Sequence, residues 1–341
     1  MILNKALHIM DVSDSILCGR MMKMKKFIDF KDKMISQIGQ VIVGKDEQIE
    51  KILVSIICGG HILLEDVPGL GKTKLARTLS KSLGLSFKRV QFTPDLLPTD
   101  LTGIYFYNQE SKKFEYKEGP LKTNIVLADE INRATPRTQS ALLECMEEKQ
   151  MTVEGNKIQL EEPFFVIATQ NPVEQFGTFP LPEAQLDRFF MRLKMGYPSK
   201  LEELEILNYY QKEDPLEKIE KCIDKELLLE LKSKYKEVYV HQKIKQYIID
   251  LCDASRKDEN IILGISTRGV LALMKGVQAY AALQGRNFVI PEDVKMIFID
   301  MMAHRIIVKR GSAKRKESIE CLEKILKRVE TPVSEDFEDA R

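Results

Sequence analysis

The chain has 341 residues, 44% of them apolar and 30% charged, which is the balance of an ordinary globular protein and length enough for two domains. Lys and Arg number 52 against 51 Asp and Glu, so a formal charge of +1 gives no electrostatic footprint for nucleic acid or an anionic membrane. The six cysteines (Cys18, Cys58, Cys145, Cys222, Cys252 and Cys321) are scattered without a C-x-x-C pair or companion histidines, as reduced core thiols are, and no apolar run approaches the roughly 20 residues of a membrane helix.

Residues 1–26 mix Asp11, Asp14 and Arg20 with several Met and lack the uninterrupted apolar core of a signal peptide. They read as a poorly ordered N-terminal extension of a cytoplasmic protein, and Met21, Met22 and Met24 leave an internal translation start open. From residue 27 the spacing of Phe30, Met34 and Ile38, then of Ile49, Ile52, Leu53 and Ile56, predicts two helices around a short extended segment, Val41 to Gly44. Five strand candidates follow at 61–66, 86–92, 124–130, 164–171 and 189–195, mostly separated by helical segments. That alternation predicts a layered α/β domain with a largely parallel sheet over residues 27–198.

Two sites on this frame carry chemistry. After the first strand candidate comes Pro68-Gly69-Leu70-Gly71-Lys72-Thr73-Lys74, opening a helical stretch to Leu83. Small residues before a helix leave backbone N–H groups free to converge on an anion, with the positive end of the helix behind them. Lys72 would reach the β- and γ-phosphates of ATP, and the Thr73 hydroxyl would ligate Mg²⁺. The third strand candidate ends in Asp129-Glu130, where Asp129 can hold the Mg²⁺ shell and Glu130 can orient and deprotonate a water. Asp66 stands where the pattern G-x-x-x-x-G-K-[ST] has its first Gly, and a carboxylate close to the phosphates would repel them.

Two hairpins interrupt the alternation, at 104–119 and 151–160, the second turning at Glu154-Gly155-Asn156. Residues 199–311 carry helical periodicity at 226–235, 243–255 and 267–283, without a strong strand signal, and predict a small helical domain. Ser266 or Thr267 can cap the last of these helices and Gly285 can end it; Pro291 starts another. Residues 312–341 form a charged tail, helical to about Val329.

Across roughly residues 40–310 this order of blocks resembles the MoxR family of AAA+ ATPases. The resemblance lies in Val43-Gly44 with Gly60-His61 and Pro68 to Thr73, in Ala128 to Ala134, in Ala168-Thr169-Gln170-Asn171-Pro172, and in Leu181 to Phe189. It implies an α/β domain with β-hairpin insertions and a small all-α lid, assembled into rings, usually hexamers, with ATP between subunits. Val43 and Gly44 then join the nucleotide site, Asn171 matches sensor 1, Arg188 the arginine finger and Arg268 sensor 2, while Arg133 and Arg137 are rival candidates for the trans contact. The run Glu65-Asp66-Val67-Pro68-Gly69 looks like one that occurs in the family, which favours a tolerated Asp66. The implied function is remodelling or maturation of a protein client, with a von Willebrand factor A domain among the expected partners. A nucleic-acid motor is the rival within the superfamily, opposed by the neutral charge and by a hairpin at 151–160 offering only Lys157. A nucleotide-dependent scaffold with weak hydrolysis is the non-enzymatic alternative.

Overall fold

The computed structural model describes residues 24–67, 69–171, 177–211, 213–309 and 314–333. Helices α1 (24–39) and α2 (Asp46–Ile57) lead into β1 (Ile62–Glu65), the phosphate-loop candidate and α3 (Lys72–Leu83). Then come β2 (Phe87–Gln91), α4 (Pro98–Thr102), the hairpin β3 (Gly103–Asn108) and β4 (Lys113–Glu118), and β5 (Ile125–Asp129). Helix α5 (Pro136–Glu148) carries a second hairpin, β6 (Gln150–Val153) and β7 (Asn156–Gln159), before β8 (Phe165–Gln170), α6 (Glu183–Leu186) and β9 (Met191–Leu193). The remainder is α7 (Lys200–Tyr210), α8 (Lys225–Lys234), α9 (Gln242–Lys257), β10 (Ile261–Leu263), α10 (Thr267–Leu283), α11 (Pro291–Met302), β11 (Ile307–Val308) and α12 (Lys314–Arg328).

The five expected strands form one sheet in the order β2-β5-β8-β1-β9, with every pairing parallel. Its central strands are continuous apolar runs because helices cover both faces, and alternation along each strand divides their side chains between two cores. Ile62, Leu64, Leu127 and Ile167 face the core shared with α1, α2 and α3; Leu63, Val126, Ala128 and Val166 face the one beneath α5 and the hairpins. The first of these cores continues without a break into the helical domain through Leu231, Ile244, Leu273 and Phe298. A P-loop α/β sheet domain with hairpin insertions, followed by a helical lid, is therefore the fold.

The structure departs from the sequence expectations in four places. Residues 41–44 are a turn rather than an extended segment: Gly44 has φ +69°, and a Cβ there would lie 1.8 Å from Glu202 Oε1, so glycine lets α7 pack close behind it. The lid also contains a two-stranded antiparallel sheet, β10 with β11, too short to leave a period-2 pattern. Residues 24–26, assigned to the N-terminal extension, already belong to α1, whose Lys26 pairs with Glu230 of α8; residues 1–23 lie outside the described residues.

The fourth departure concerns the expected charged tail. Helix α12 buries Leu322 and Ile325 fully in the lid core. At its other end Arg315 pairs with Glu65, the last residue of β1, which also pairs with Arg192 of β9. Burial alone would raise the Glu65 pKa, but the two guanidinium groups outweigh it and hold the carboxyl below its ordinary value. Residues 334–341 lie outside the described residues, and no described helix is long and apolar enough to cross a membrane.

Candidate active site

A cleft of about 610 Å³ opens at the C-terminal ends of the sheet strands, where α/β folds place their ligand sites. The loop before α3 forms its floor. Gly71 adopts a left-handed conformation, φ +77°, as the residue before α3, which lets the loop turn sharply into the helix without a Cβ penalty. No side chain caps this helix, so its first-turn N–H groups point into the cleft as anion donors. Gly69, Leu70, Lys72 and Thr73 line the cleft; Pro68 lies outside the described residues.

The Lys72 ammonium donates to the Asp66 carbonyl at 2.5 Å. Burial pulls its pKa below that of an ordinary lysine, opposed by Asp66, Asp129 and Glu130. Lys74 lines the cleft, with its ammonium 3.9 Å from the centre of the ring of Tyr210, another lining residue, and 3.2 Å from Asp214. Val43 lines the cleft with Val41 and Ile42, but Gly44 sits behind the wall against Glu202.

The sequence left open whether the Asp66 carboxylate lies beside the phosphates or is tolerated. Its buried carboxylate accepts the Met195 N–H at 2.6 Å and the Gly196 N–H at 3.1 Å, both from residues of the cleft wall, tying the loop to the chain just beyond β9.

Opposite the loop stand Asp129 and Glu130 at the end of β5. The Thr169 hydroxyl donates to Asp129 Oδ1 at 2.6 Å and accepts the Glu130 N–H at 2.8 Å, so one side chain of β8 positions both residues. Glu130 has φ 56° and ψ 50°, a left-handed conformation that costs a non-glycine residue about 1 kcal/mol or more and persists only where the surroundings impose it. Asn171, buried at the end of β8, lines the same cleft.

Sequence reasoning missed three polar residues here. Besides Thr169, Arg89 and Gln91 project from β2, where Arg89 bonds Asp129 and Gln91 bonds Glu130 at 2.8 Å, while Arg133 adds a bond to Glu130 at 3.1 Å. Their trace in the sequence is slight, two polar residues two positions apart within Phe87–Gln91, and it gains meaning once β2 is known to lie beside β5.

Arg188 and Arg268 do not line this cleft. Arg188 Nε lies 3.1 Å from Glu147 Oε2 of α5; Arg268 pairs with the other oxygen of Glu147 and comes within 4.0 Å of Asp187. Asp187 in turn is held by the buried Arg305. Arg188 thus has an intrasubunit partner in Glu147, and Arg268 is brought to Arg188 rather than to the phosphate loop of its own chain. The expected catalytic residues fall into two groups, one inside the cleft and one outside it.

This fold and this arrangement of loop and carboxylates define a P-loop ATPase domain of the AAA+ class with its lid. The family described as ATPase family associated with various cellular activities (AAA) matches residues 61–191, and the AAA lid domain matches residues 253–325. Protein YeaC of Bacillus subtilis is 50% identical over 81% of this chain and 86% of its own length. Chaperone MoxR1 of Mycobacterium tuberculosis is 38% identical over 81% of this chain and 75% of its own. A crystal structure from Cytophaga hutchinsonii superposes with a TM-score of 0.82 at 40% identity, covering 91% of this chain and 98% of that one. The chain belongs to the MoxR family of AAA+ ATPases.

Proposed function

We propose that this protein hydrolyses ATP as a ring of identical subunits, a hexamer by family resemblance, and uses the cycle to remodel or mature a protein client in the cytoplasm. The observation that carries this reading is the division of the site. Lys72, Thr73, Asp129, Glu130 and Asn171 share one cleft, and Arg188 and Arg268 gather around Glu147 outside it. A cleft that holds the water-activating carboxylate but neither arginine is completed if a neighbouring subunit presents them.

The residues present suit Mg²⁺–ATP. The first-turn N–H groups of α3 and Lys72 would take the phosphates, and Thr73 with Asp129 supplies the hydroxyl and carboxylate oxygens that a hard divalent ion prefers. When bound, the ion neutralises charge on the phosphates. Glu130 accepts the proton of the attacking water, Asn171 helps orient that water, and Thr169 keeps Asp129 and Glu130 in register. The client-remodelling part of the reading is supported by the chaperone name of the Mycobacterium tuberculosis relative; a client with a von Willebrand factor A domain is what the family resemblance implies.

Replacing Glu130 by Gln tests the reading. The variant keeps the shape and the left-handed backbone but loses the base, so turnover should fall by about two to four orders of magnitude while ATP still binds. Unchanged phosphate release would remove Glu130 from this role. Co-purification from the ATP-trapped variant identifies the client by mass spectrometry, and recovery of nothing beyond the protein itself would count against remodelling.

A further inference from the structure

We propose that Glu147 is the positioning residue of the arginine half of the site: its carboxylate binds Arg188 of the sheet domain and Arg268 of the lid into one unit that a subunit presents to its neighbour's ATP. The inference rests on the ring reading above and adds to it the residue that keeps the two arginines together.

Neither arginine is drawn to the other by its local structure. Arg268 is the second residue of α10, where the helix presents its positive end, and the Ser266 hydroxyl already caps that turn by accepting the Gly269 N–H at 3.2 Å. A guanidinium there gains nothing from its own helix and is repelled by a second cation. Arg188 follows α6 on the sheet domain, so the two belong to different layers of the molecule and stay together only around an anion. Glu147, in the last turn of α5, is that anion. Its Oε2 lies 3.1 Å from Arg188 Nε, and its Oε1 accepts from Arg268 Nη2.

Asp187, the other carboxylate at hand, cannot take over this task. It is committed to Arg305, whose side chain is 3% exposed and which also donates to the Asp187 main-chain carbonyl at 2.9 Å, while Arg268 Nε comes only within 4.0 Å of it. Three guanidinium groups thus share two carboxylates, and the cluster keeps a positive charge for an anion brought to it. The nitrogen used by Arg188 matters as well. It meets Glu147 through Nε, on the side of the guanidinium, which leaves the terminal fork aimed elsewhere and suited to a phosphate. Arg188 and Arg268 remain 32% and 51% exposed, so an ATP held by another subunit can reach both. Because each oxygen of Glu147 serves a different arginine, charge and length both count: an amide offers one acceptor and turns an NH₂ toward a guanidinium.

The test is phosphate release from ATP by the full chain, alone and in mixtures. Glu147→Ala should lower kcat about tenfold, the loss expected when two weak ion pairs no longer hold the arginines in place, and should leave the KM for ATP within about twofold of wild type because the cleft itself is untouched. Glu147→Gln should fall between the two. Mixing then assigns Glu147 to one half of the site. Combined with Lys72→Ala, which lacks the phosphate-binding half, Glu147→Ala should exceed the sum of the separate activities severalfold; combined with Arg188→Ala, which lacks the same half, it should not. Wild-type kcat in Glu147→Ala overturns the proposal, and so does the absence of a gain with Lys72→Ala under conditions where Arg188→Ala does gain; either result leaves the ring reading standing. If Arg188→Ala gains nothing although subunits demonstrably exchange, the trans assignment of Arg188 fails and this proposal fails with it. Melting temperature and ring mass of Glu147→Ala should match wild type, and a variant that no longer assembles would make Glu147 an assembly contact and overturn its positioning role.

Discussion

At the scale of single residues, the direction in which a side chain points decides its meaning. Asp66 breaks the phosphate-loop pattern, and from the sequence Asp66→Gly would tighten ATP binding only if the carboxylate repelled the phosphates. With the carboxylate turned onto the Met195 and Gly196 N–H groups the expected sign reverses. Removing two charge-assisted bonds, one to a buried N–H, should cost about 2 kcal/mol of stability and loosen the loop that cradles the phosphates. Thermal unfolding and titration calorimetry check both halves, and tighter ATP binding by Asp66→Gly would show that repulsion dominates after all. Glu130 teaches the same lesson through its backbone: a glutamate at φ 56° betrays an imposed geometry that no residue pattern announces.

Among elements, buried histidines join β1 to its neighbours and the lid to the sheet. His61 Nδ1 accepts the Val166 N–H at 3.0 Å while Nε2 lies 3.0 Å from the Met146 carbonyl, an arrangement that uses the neutral ring in one tautomer. Burial pushes its pKa down to about 4. His304, 2.9 Å from the Phe189 carbonyl, is likewise pushed well below its ordinary value, first by burial and then by Arg305. Because the folded values lie below the unfolded one near 6.5, the unfolded chain binds protons that the fold refuses. Their contribution is therefore complete above about pH 6.5 and is lost as pH falls toward 4, with a slope of at most about 1.4 kcal/mol per pH unit for each ring. Melting temperatures between pH 7.5 and 4.5 should decline along this window, and His61→Gln should flatten the decline; an unchanged slope in that variant would exclude His61 as a source.

The same scale shows what the sequence could and could not announce. The five sheet strands were legible because each is an apolar run bounded by turn residues, and the β6–β7 turn because Glu154-Gly155 takes the positive φ angles, 48° and 84°, of a tight hairpin. Residues 41–44 misled because three consecutive β-branched residues favour extension, whereas close packing on α7 makes them turn. Within the site, Lys72, Thr73, Asp129 and Glu130 were visible because they are local to a loop–helix junction and a strand end, and Asn171 through the family resemblance. Arg89 and Gln91 were not, since they matter only through the lateral order of strands, and the pairing of Arg188 and Arg268 with Glu147 joins three segments far apart in the chain.

For the whole molecule, the separation of Arg188 and Arg268 from the cleft makes an assembly prediction. Arg188→Ala should leave ATP binding nearly intact and lower hydrolysis toward the rate of an isolated subunit, a drop of about three orders of magnitude or more if the arginine acts as a finger. Mixed with Lys72→Ala, which lacks the other half of the site, it should recover activity, because some interfaces then contain both Lys72 and Arg188. If mixing restores nothing although subunits demonstrably exchange, the trans role passes to Arg133 or Arg137. Arg133 already contacts Glu130 within its own chain at 3.1 Å.

The reach of α12 also determines how the chain can be cut. Judged by charge alone, residues after 309 would be a natural place to trim. Yet Arg315 supplies one of the two guanidinium groups on Glu65, and Leu322 and Ile325 fill the lid core. A protein ending at residue 309 would keep every residue of the cleft and still leave a buried carboxylate half-compensated immediately before Asp66, with the seat of two apolar side chains open to water. Such a protein should melt at a lower temperature and bind ATP more weakly than the full chain, and Arg315→Ala should reproduce part of the second defect without the first core loss. Wild-type stability and affinity in the shortened protein would mean that α12 is an ornament, whereas the expected result makes the last helix a structural member of the nucleotide loop.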